Sequence, residues 1–271
     1  MKSYKLLYPK NWRDLKYRSP KNIEVIKGET LDFSKQPEIK KRIEEEWNKE
    51  KIKDKKIFSN PIYRLSGYSI KNGNLLLELG KTCYEELSGT NYLSAYDRNF
   101  FNFIKKAGLK EKNPYKYFSM ALSVGAVIET KDNYILITRR GEKVGSYKNV
   151  FHTIAGQTDP RKFKKGPINF KISIADEIRA EAGLKENEYK IYFTALVMNN
   201  ENFKPELIFV AKSRVNLVDI LLRKKTEAFE FKFIFGLKKE DLRSFLKSFP
   251  QKEFCPPGLA AWQIYLQIEK L

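Results

Sequence analysis

The spacing of apolar positions changes period several times along the chain, and those changes mark out its elements. Residues 22–27 predict a short strand. Ile39, Ile43 and Trp47 recur every fourth position in a charged stretch opened by Gln36-Pro37-Glu38, which predicts a helix to about residue 51. Residues 63–70 and 75–79 flank Asn72-Gly73, a pair suited to positive φ at both turn positions, and predict a hairpin. Residues 93–109 predict a helix with Tyr96, Phe100 and Phe103 on one side, ended by Asn113-Pro114. That break divides the pattern into residues 1–114, read as an N-terminal α+β domain, and 115–271.

The second part alternates differently. Residues 121–130 and 133–140 predict a hairpin around Lys131-Asp132, followed by a strand over 150–155 and a helix over 170–181. Strands are predicted over 189–198 and 206–212, joined by a polar loop with Asn199, Asn200 and Asn202, and over 229–235. Residues 237–249 and 258–270 read as helices, the latter announced by Pro256-Pro257. No internal repeat and no low-complexity tract interrupts this order.

The candidate chemistry lies where the third of these strands meets the helix. Gly156-Gln157-Thr158-Asp159-Pro160 forms a turn, and the helix beyond it carries Glu177 and Glu181 one helical turn apart. Ile174 and Ile178 supply the buried stripe beside them, so the two carboxylates lie at the edge of the core. Oxygen ligands so placed suit a hard cation, whereas the same spacing on an open helix is an ordinary solvated face.

The run Glu177-Ile178, Glu181, Gly183-Leu184 resembles the second half of the Nudix box, G-x5-E-x7-R-E-U-x-E-E-x-G-U with U aliphatic. Asp176 stands where that family has Arg, Ala180 stands where the first Glu of the Glu-Glu pair belongs, and the span from Gly156 to Glu177 is longer than usual. Ile57-Phe58-Ser59-Asn60-Pro61-Ile62-Tyr63-Arg64-Leu65 and Gly80-Lys81-Thr82-Cys83-Tyr84-Glu85-Glu86-Leu87-Ser88-Gly89-Thr90-Asn91 are similar to a divergent subfamily, the uridine diphosphate glucose diphosphatases of animals and their plant relatives.

The resemblance implies an α/β fold, a Nudix α/β/α sandwich with a mixed sheet, preceded by a smaller α+β N-terminal domain that walls the nucleotide pocket. It implies Mg²⁺, or Mn²⁺, held by Glu177 and Glu181, and hydrolysis of UDP-glucose or UDP-galactose to UMP and sugar 1-phosphate. A bound divalent ion screens the diphosphate and lowers the pKa of an attacking water. Glu206 is a third candidate, as metal ligand or general base, with an edge-strand charge as the alternative. Arg140 matches a nucleotide-contacting Arg and carries the forked guanidinium that suits phosphate. Arg139 and Arg140 point to opposite sides, so one of them faces the cleft. Gly145, His152, Gln157 and Asp159 fall at further substrate-contacting positions; His152 replaces an acid there and Gln157 a His. His152 is also open to a purely structural role, and Asp159 to turn chemistry. Phe58, Tyr63 and Tyr84 are candidates to stack on the base or border the ribose, with core packing as the alternative. Thr90 and Asn91 are expected to hold their turn together.

Composition changes this picture in two respects. With 52 Lys and Arg against 33 Asp and Glu, the net charge of +19 favours polyanionic partners. The basic residues are densest at 49–56, 161–165 and 223–225, without a zinc-finger or RNA-recognition strand motif. This keeps two alternatives open: a Nudix reaction on ADP-ribose, a dinucleotide or a capped RNA, or a non-catalytic module binding RNA or a nucleotide. Two unpatterned cysteines and a polar N-terminus predict a reducing, cytoplasmic or nuclear setting, and no apolar run is long enough to span a membrane. The oligomeric state has no signature in the sequence.

Overall fold

The computed structural model describes residues 3–53, 55, 57–142, 144–163, 167–227 and 230–271. Its strands are β1 (Tyr4–Tyr8), β2 (Ile23–Lys27), β3 (Pro61–Lys71), β4 (Asn74–Cys83), β5 (Ser123–Glu129), β6 (Tyr134–Arg140), β7 (Phe151–His152), β8 (Ile154–Gln157), β9 (Tyr189–Asn199), β10 (Pro205–Ser213) and β11 (Phe231–Lys238). Its α-helices are α1 (Pro37–Lys53), α2 (Tyr84–Leu87), α3 (Leu93–Tyr96), α4 (Arg98–Lys110), α5 (Phe170–Glu177), α6 (Leu217–Leu222), α7 (Leu242–Ser248) and α8 (Pro256–Glu269).

The large sheet runs β1-β9-β10-β5-β6-β11, with β10 and β5 parallel and the other neighbours antiparallel. Strands β5 and β6 pair at Glu129↔Ile135, beside their turn, and then diverge. The predicted strand over 150–155 splits into β7, which pairs with β6, and β8, which pairs with β5. The sheet is therefore opened at one end, where Arg140, Gly156 and Gln157 lie. Alternation sends Val124, Ala126, Ile128, Leu207 and Phe209 towards Ile174 and Ile178 at the end of α5. Val127, Ile208 and Val210 face Trp262, Ile264 and Tyr265 of α8 on the other side. Each such side chain removed from water contributes about 1.5–3 kcal/mol, which fixes the register of the layers. The result is the mixed-sheet α/β/α sandwich.

The smaller sheet has the order β2-β4-β3. Its hairpin turns at Asn72 and Gly73 with φ of 50° and 75°, as the sequence predicts. It joins the large unit through backbone bonds from Leu122 N–H to Tyr63 O (2.8 Å) and from Tyr63 N–H to Thr158 O (3.0 Å). The division at Pro114 is not clean in space, because β1 lies in the large sheet against β9. A five-residue strand with Lys5 at its second position offers too little pattern to be read alone.

Three expectations need correction. The helix over 93–109 is broken at Asp97, whose side chain accepts the Phe100 N–H and starts α4 afresh. The face of α4 that packs inward carries Phe100, Phe101, Ile104 and Ala107, whereas Tyr96 and Phe103 are exposed. The expected helix over 237–249 gives its first residues to β11, which runs to Lys238 and places α7 at Leu242–Ser248. The strand expected over 229–235 begins at a residue, Phe229, that lies outside the described ones, as do Lys56, Lys164 and Lys165 of the basic stretches.

Candidate metal and substrate site

Helix α5 starts at Asn169, whose side chain accepts the Lys171 N–H, and runs to Glu177. The backbone then widens into a π turn over Ile178–Ala182 and stops at Gly183, which has a φ of 70°. Ile174 and Ile178 are buried against the sheet, Glu177 is half-buried, and Glu181 is 1% exposed. Glu177 lies so close over β8 that a methyl group on Gly156 would collide with its carboxylate.

The expected pair acquires a third member. Carboxylate oxygens of Glu177, Glu181 and Glu227 lie within 4.8 Å of one another. Burial, then the neighbouring Glu227, pushes Glu177 up to about 7. Burial, then Glu230 and Glu177, lifts Glu181 well above the ordinary carboxyl range. Glu181 Oε1 is buried without a hydrogen-bond partner. Three crowded carboxylates with an orphaned buried oxygen lack positive charge and a ligand, and a divalent cation would supply both. The donor set thus fits Mg²⁺ or Mn²⁺.

Arg140 ends β6 beside this cluster. It lowers the pKa of Glu181, Glu206 and Glu230 and helps to depress that of His152, while its own Nε is buried without a partner. Arg139 turns the other way, 4.4 Å over the Phe151 ring and 2.8 Å from Glu253. Arg139 and Arg140 thus point to opposite sides, as alternation predicts, and Arg140 is the one beside the acids. Glu230, held by a bond from Gly141 N–H to its carbonyl (2.7 Å), adds a further acid that burial raises and Arg140 lowers. Sequence reasoning missed Glu227 and Glu230, because both precede a strand with no box-like spacing around them.

The N-terminal part reaches this region through Tyr84. The Tyr84 hydroxyl fills the space a side chain at Gly145 would need. The Tyr84 ring meets Trp47 at 6.1 Å and Tyr92 at 6.4 Å, both edge-on. Burial raises the Tyr84 phenol, Tyr92, Glu50 and Glu230 add to the rise, and Arg140 opposes it. Thr90 ties its own turn, donating from Oγ1 to Glu86 O at 2.6 Å, and both residues also reach further: Thr90 Oγ1 accepts the Ser119 N–H, and Asn91 Nδ2 donates to Asn202 O at 2.6 Å.

The other candidates are placed less directly. Tyr63 packs against Phe163 at 6.1 Å. Burial acts against the Asp159 carboxylate, but forked bonds from Arg161 at 2.9 and 2.7 Å hold it below the ordinary range. Arg161 also reaches Asn60 at 2.8 Å, so Asp159 serves to stitch the turn to the N-terminal part. Gln157 ends β8 with a buried, unpartnered Oε1. Phe58 is 66% exposed. His152 is fully buried, and burial, then Arg140 and Lys204, keeps it neutral. Glu206 pairs in register with Ser123 and shares its side of β10 with Ile208 and Val210, facing α8 rather than α5. Strand β10 has neighbours on both sides, so Glu206 is not an edge-strand charge. Its carboxylate accepts the Ser123 hydroxyl at 2.8 Å and lies outside the clustered three.

Comparison with known proteins agrees with the box. The chain is 22% identical to Nudix hydrolase 9 of Arabidopsis thaliana over an alignment covering 88% of this chain and 86% of the relative. It is 26% identical over 117 residues to the uridine diphosphate glucose pyrophosphatase NUDT22 of Mus musculus, a match spanning 41% of this chain and 36% of the mouse protein. Among solved structures, the Nudix domain of Shewanella oneidensis NrtR, crystallised with ADP ribose, aligns over 59% of this chain and 96% of its own, at 9% identity and a TM-score of 0.40. No protein-family model matches.

Proposed function

The chain belongs to the Nudix hydrolase superfamily, and on that premise we propose that it hydrolyses the diphosphate bond of a nucleoside diphosphate sugar. The substrate class follows the mouse relative, with UDP-glucose or UDP-galactose giving UMP and sugar 1-phosphate. The observation that carries the reading is the convergence of Glu177 and the buried, unpartnered Glu181 beside Arg140 at the opened end of the sheet. Glu177 and Glu181 would hold Mg²⁺ or Mn²⁺, which supplies charge neutralisation and an acidified water when bound. Arg140 would clamp a phosphate oxygen through its guanidinium fork, which has no ion pair of 4 Å or less among the described residues. Tyr84, braced by Trp47 and Tyr92, would border the nucleoside and keep bulk water from the diphosphate. In the reaction, water oxygen bonds to one phosphorus, the bridging P–O bond breaks, and the water protons pass to the phosphate products and solvent.

Incubation of the pure protein with UDP-glucose and Mg²⁺, beside Glu181→Gln, tests this reading. Formation of UMP by the wild type that drops on the order of 10³-fold in the variant is the expected result. No UMP, and no turnover of UDP-galactose or ADP-ribose, would overturn it. The net charge of +19 favours a second reading, a nucleotide- or RNA-binding module. That reading requires salt-sensitive RNA binding in the absence of turnover.

A further inference from the structure

We propose that Glu227 is a relocated ligand: a loop carboxylate supplies the oxygen that the box residue at 180 has lost, completing the divalent-cation site begun by Glu177 and Glu181. The inference rests on the metal-dependent reading above for the presence of the ion. It concerns which residue of this chain completes the site.

The relocation follows from how the box helix ends. An α-helix leaves its last carbonyls without intrahelical donors. Here the helix stops at Gly183, and the Ala180 carbonyl is met instead by the backbone N–H groups of Thr226 (3.0 Å) and Glu227 (3.4 Å). A second tie lies one turn away. Arg223 donates to the Gly183 carbonyl at 3.0 Å and forks onto Glu188 at 2.6 and 2.9 Å. Residues 223–227 are thus strapped to the end of the box helix at two points. The strap delivers the Glu227 carboxylate to within 4.8 Å of Glu177 and Glu181 oxygens.

Nothing else among the described residues accounts for an acid at this place. Among the described residues, the Glu227 carboxylate takes part in no ion pair or hydrogen bond, although the chain carries 52 Lys and Arg. It faces two acids, one of them buried with an oxygen lacking any donor. A third like charge there destabilises the ion-free protein, and a bound cation reverses the sign of that contribution. Ala180 is half-buried and brings no ligand atom, so the carboxylate lost from the helix is regained from the loop whose amides cap that same residue.

The test is a Mn²⁺ titration of the full chain, read by the electron paramagnetic resonance signal of free Mn²⁺. Glu227→Gln is expected to weaken Mn²⁺ binding by about 10- to 100-fold. Ala180→Glu placed in that background is expected to restore binding to within a few-fold of wild type, because it returns the carboxylate to the helix. Should the double variant fail to fold by circular dichroism, Ala180→Asp offers the same charge on a shorter arm. Wild-type affinity in Glu227→Gln, with weakened binding in Glu181→Gln, would overturn the relocation and leave the hydrolase reading standing. A folded double variant that binds as weakly as Glu227→Gln would equally overturn it. Absence of Mn²⁺ binding by the wild type would sink both.

Discussion

Glu181 and Glu206 invite comparison because burial alone does not separate them. Each is 1% exposed, each leaves its Oε1 without a partner, and each feels Arg140. Their neighbours differ in sign. Burial of Glu181 is aggravated by Glu230, Glu177 and Glu227 and opposed by Arg140. Burial of Glu206 is opposed by Lys204, the Ser123 hydroxyl and Arg140. The first carboxylate sits among like charges, whereas the second, although burial still raises it, has two cations and a hydroxyl opposing that rise. A buried acid therefore points to a cation only where the groups around it repel it.

Replacing Glu181 gives the largest expected effect. Glu181→Gln removes a buried like charge, so the ion-free protein should unfold at a temperature equal to or above the wild type's. The rise in unfolding temperature that Mg²⁺ or Mn²⁺ gives the wild type should disappear. Differential scanning calorimetry with and without the ion reads both. A variant that loses ion-free stability but keeps the metal-induced rise would break the comparison at its first member.

Glu206→Gln should behave in the opposite way. Its amide can still accept the Ser123 hydroxyl, but the new NH₂ enters a buried place without a known acceptor, at a cost of about 1–3 kcal/mol. Mn²⁺ affinity should stay within about twofold of wild type, since a 1.4 kcal/mol change would be needed for tenfold. Denaturant unfolding and a metal titration on the same preparation check the two halves. A metal affinity that falls as far as that of Glu181→Gln would return Glu206 to the ligand set.

Gly156→Ala sharpens the same contrast from the backbone side. The added methyl meets the Glu177 carboxylate, so Glu177 must leave its place over β8. Overpacking of this kind costs about 1–3 kcal/mol, and the displaced ligand should weaken Mn²⁺ binding as well. A Mn²⁺ titration showing unchanged affinity would mean that Glu177 binds from another rotamer.

Much of this contrast was legible in the chain, for reasons that are local. Glu177, Glu181, Ile174 and Ile178 share one short helix, where period alone puts acids beside a buried stripe. Asn72-Gly73 carries its turn geometry in two residues, and alternation alone puts Arg139 and Arg140 on opposite sides of β6. What escaped was long-range. The pairing of β1 with β9 adds a strand from the start of the chain to the edge of the large sheet, and Glu227 reaches Ala180 through backbone bonds that no spacing records. The two sides of β10 could be told apart in sequence, but which helix would cover each side could not. Glu206 accordingly looked like one of the site's acids, or like an edge charge, until α8 was seen on its side.

The smallest expected effect concerns the strap that keeps Glu227 beside Glu181. Forked bonds from Arg223, and then the Lys185 N–H, hold the Glu188 carboxyl at about 2, against an ordinary value of 4.5. A folded-state pKa depressed in this way contributes stability that is fully present above the ordinary value. That stability is lost as pH falls from there through about 2. The pair is partly exposed, so Glu188→Gln should cost about 1 kcal/mol or less at neutral pH. The difference from wild type should shrink between pH 5 and pH 2, read by denaturant unfolding across that window. Because Arg223 also holds the Gly183 carbonyl, the same variant should loosen the loop and weaken Mn²⁺ binding slightly at neutral pH, by about twofold. A stability difference that grew on acidification would mean that another partner of Arg223 takes over, and that the strap does not depend on this ion pair.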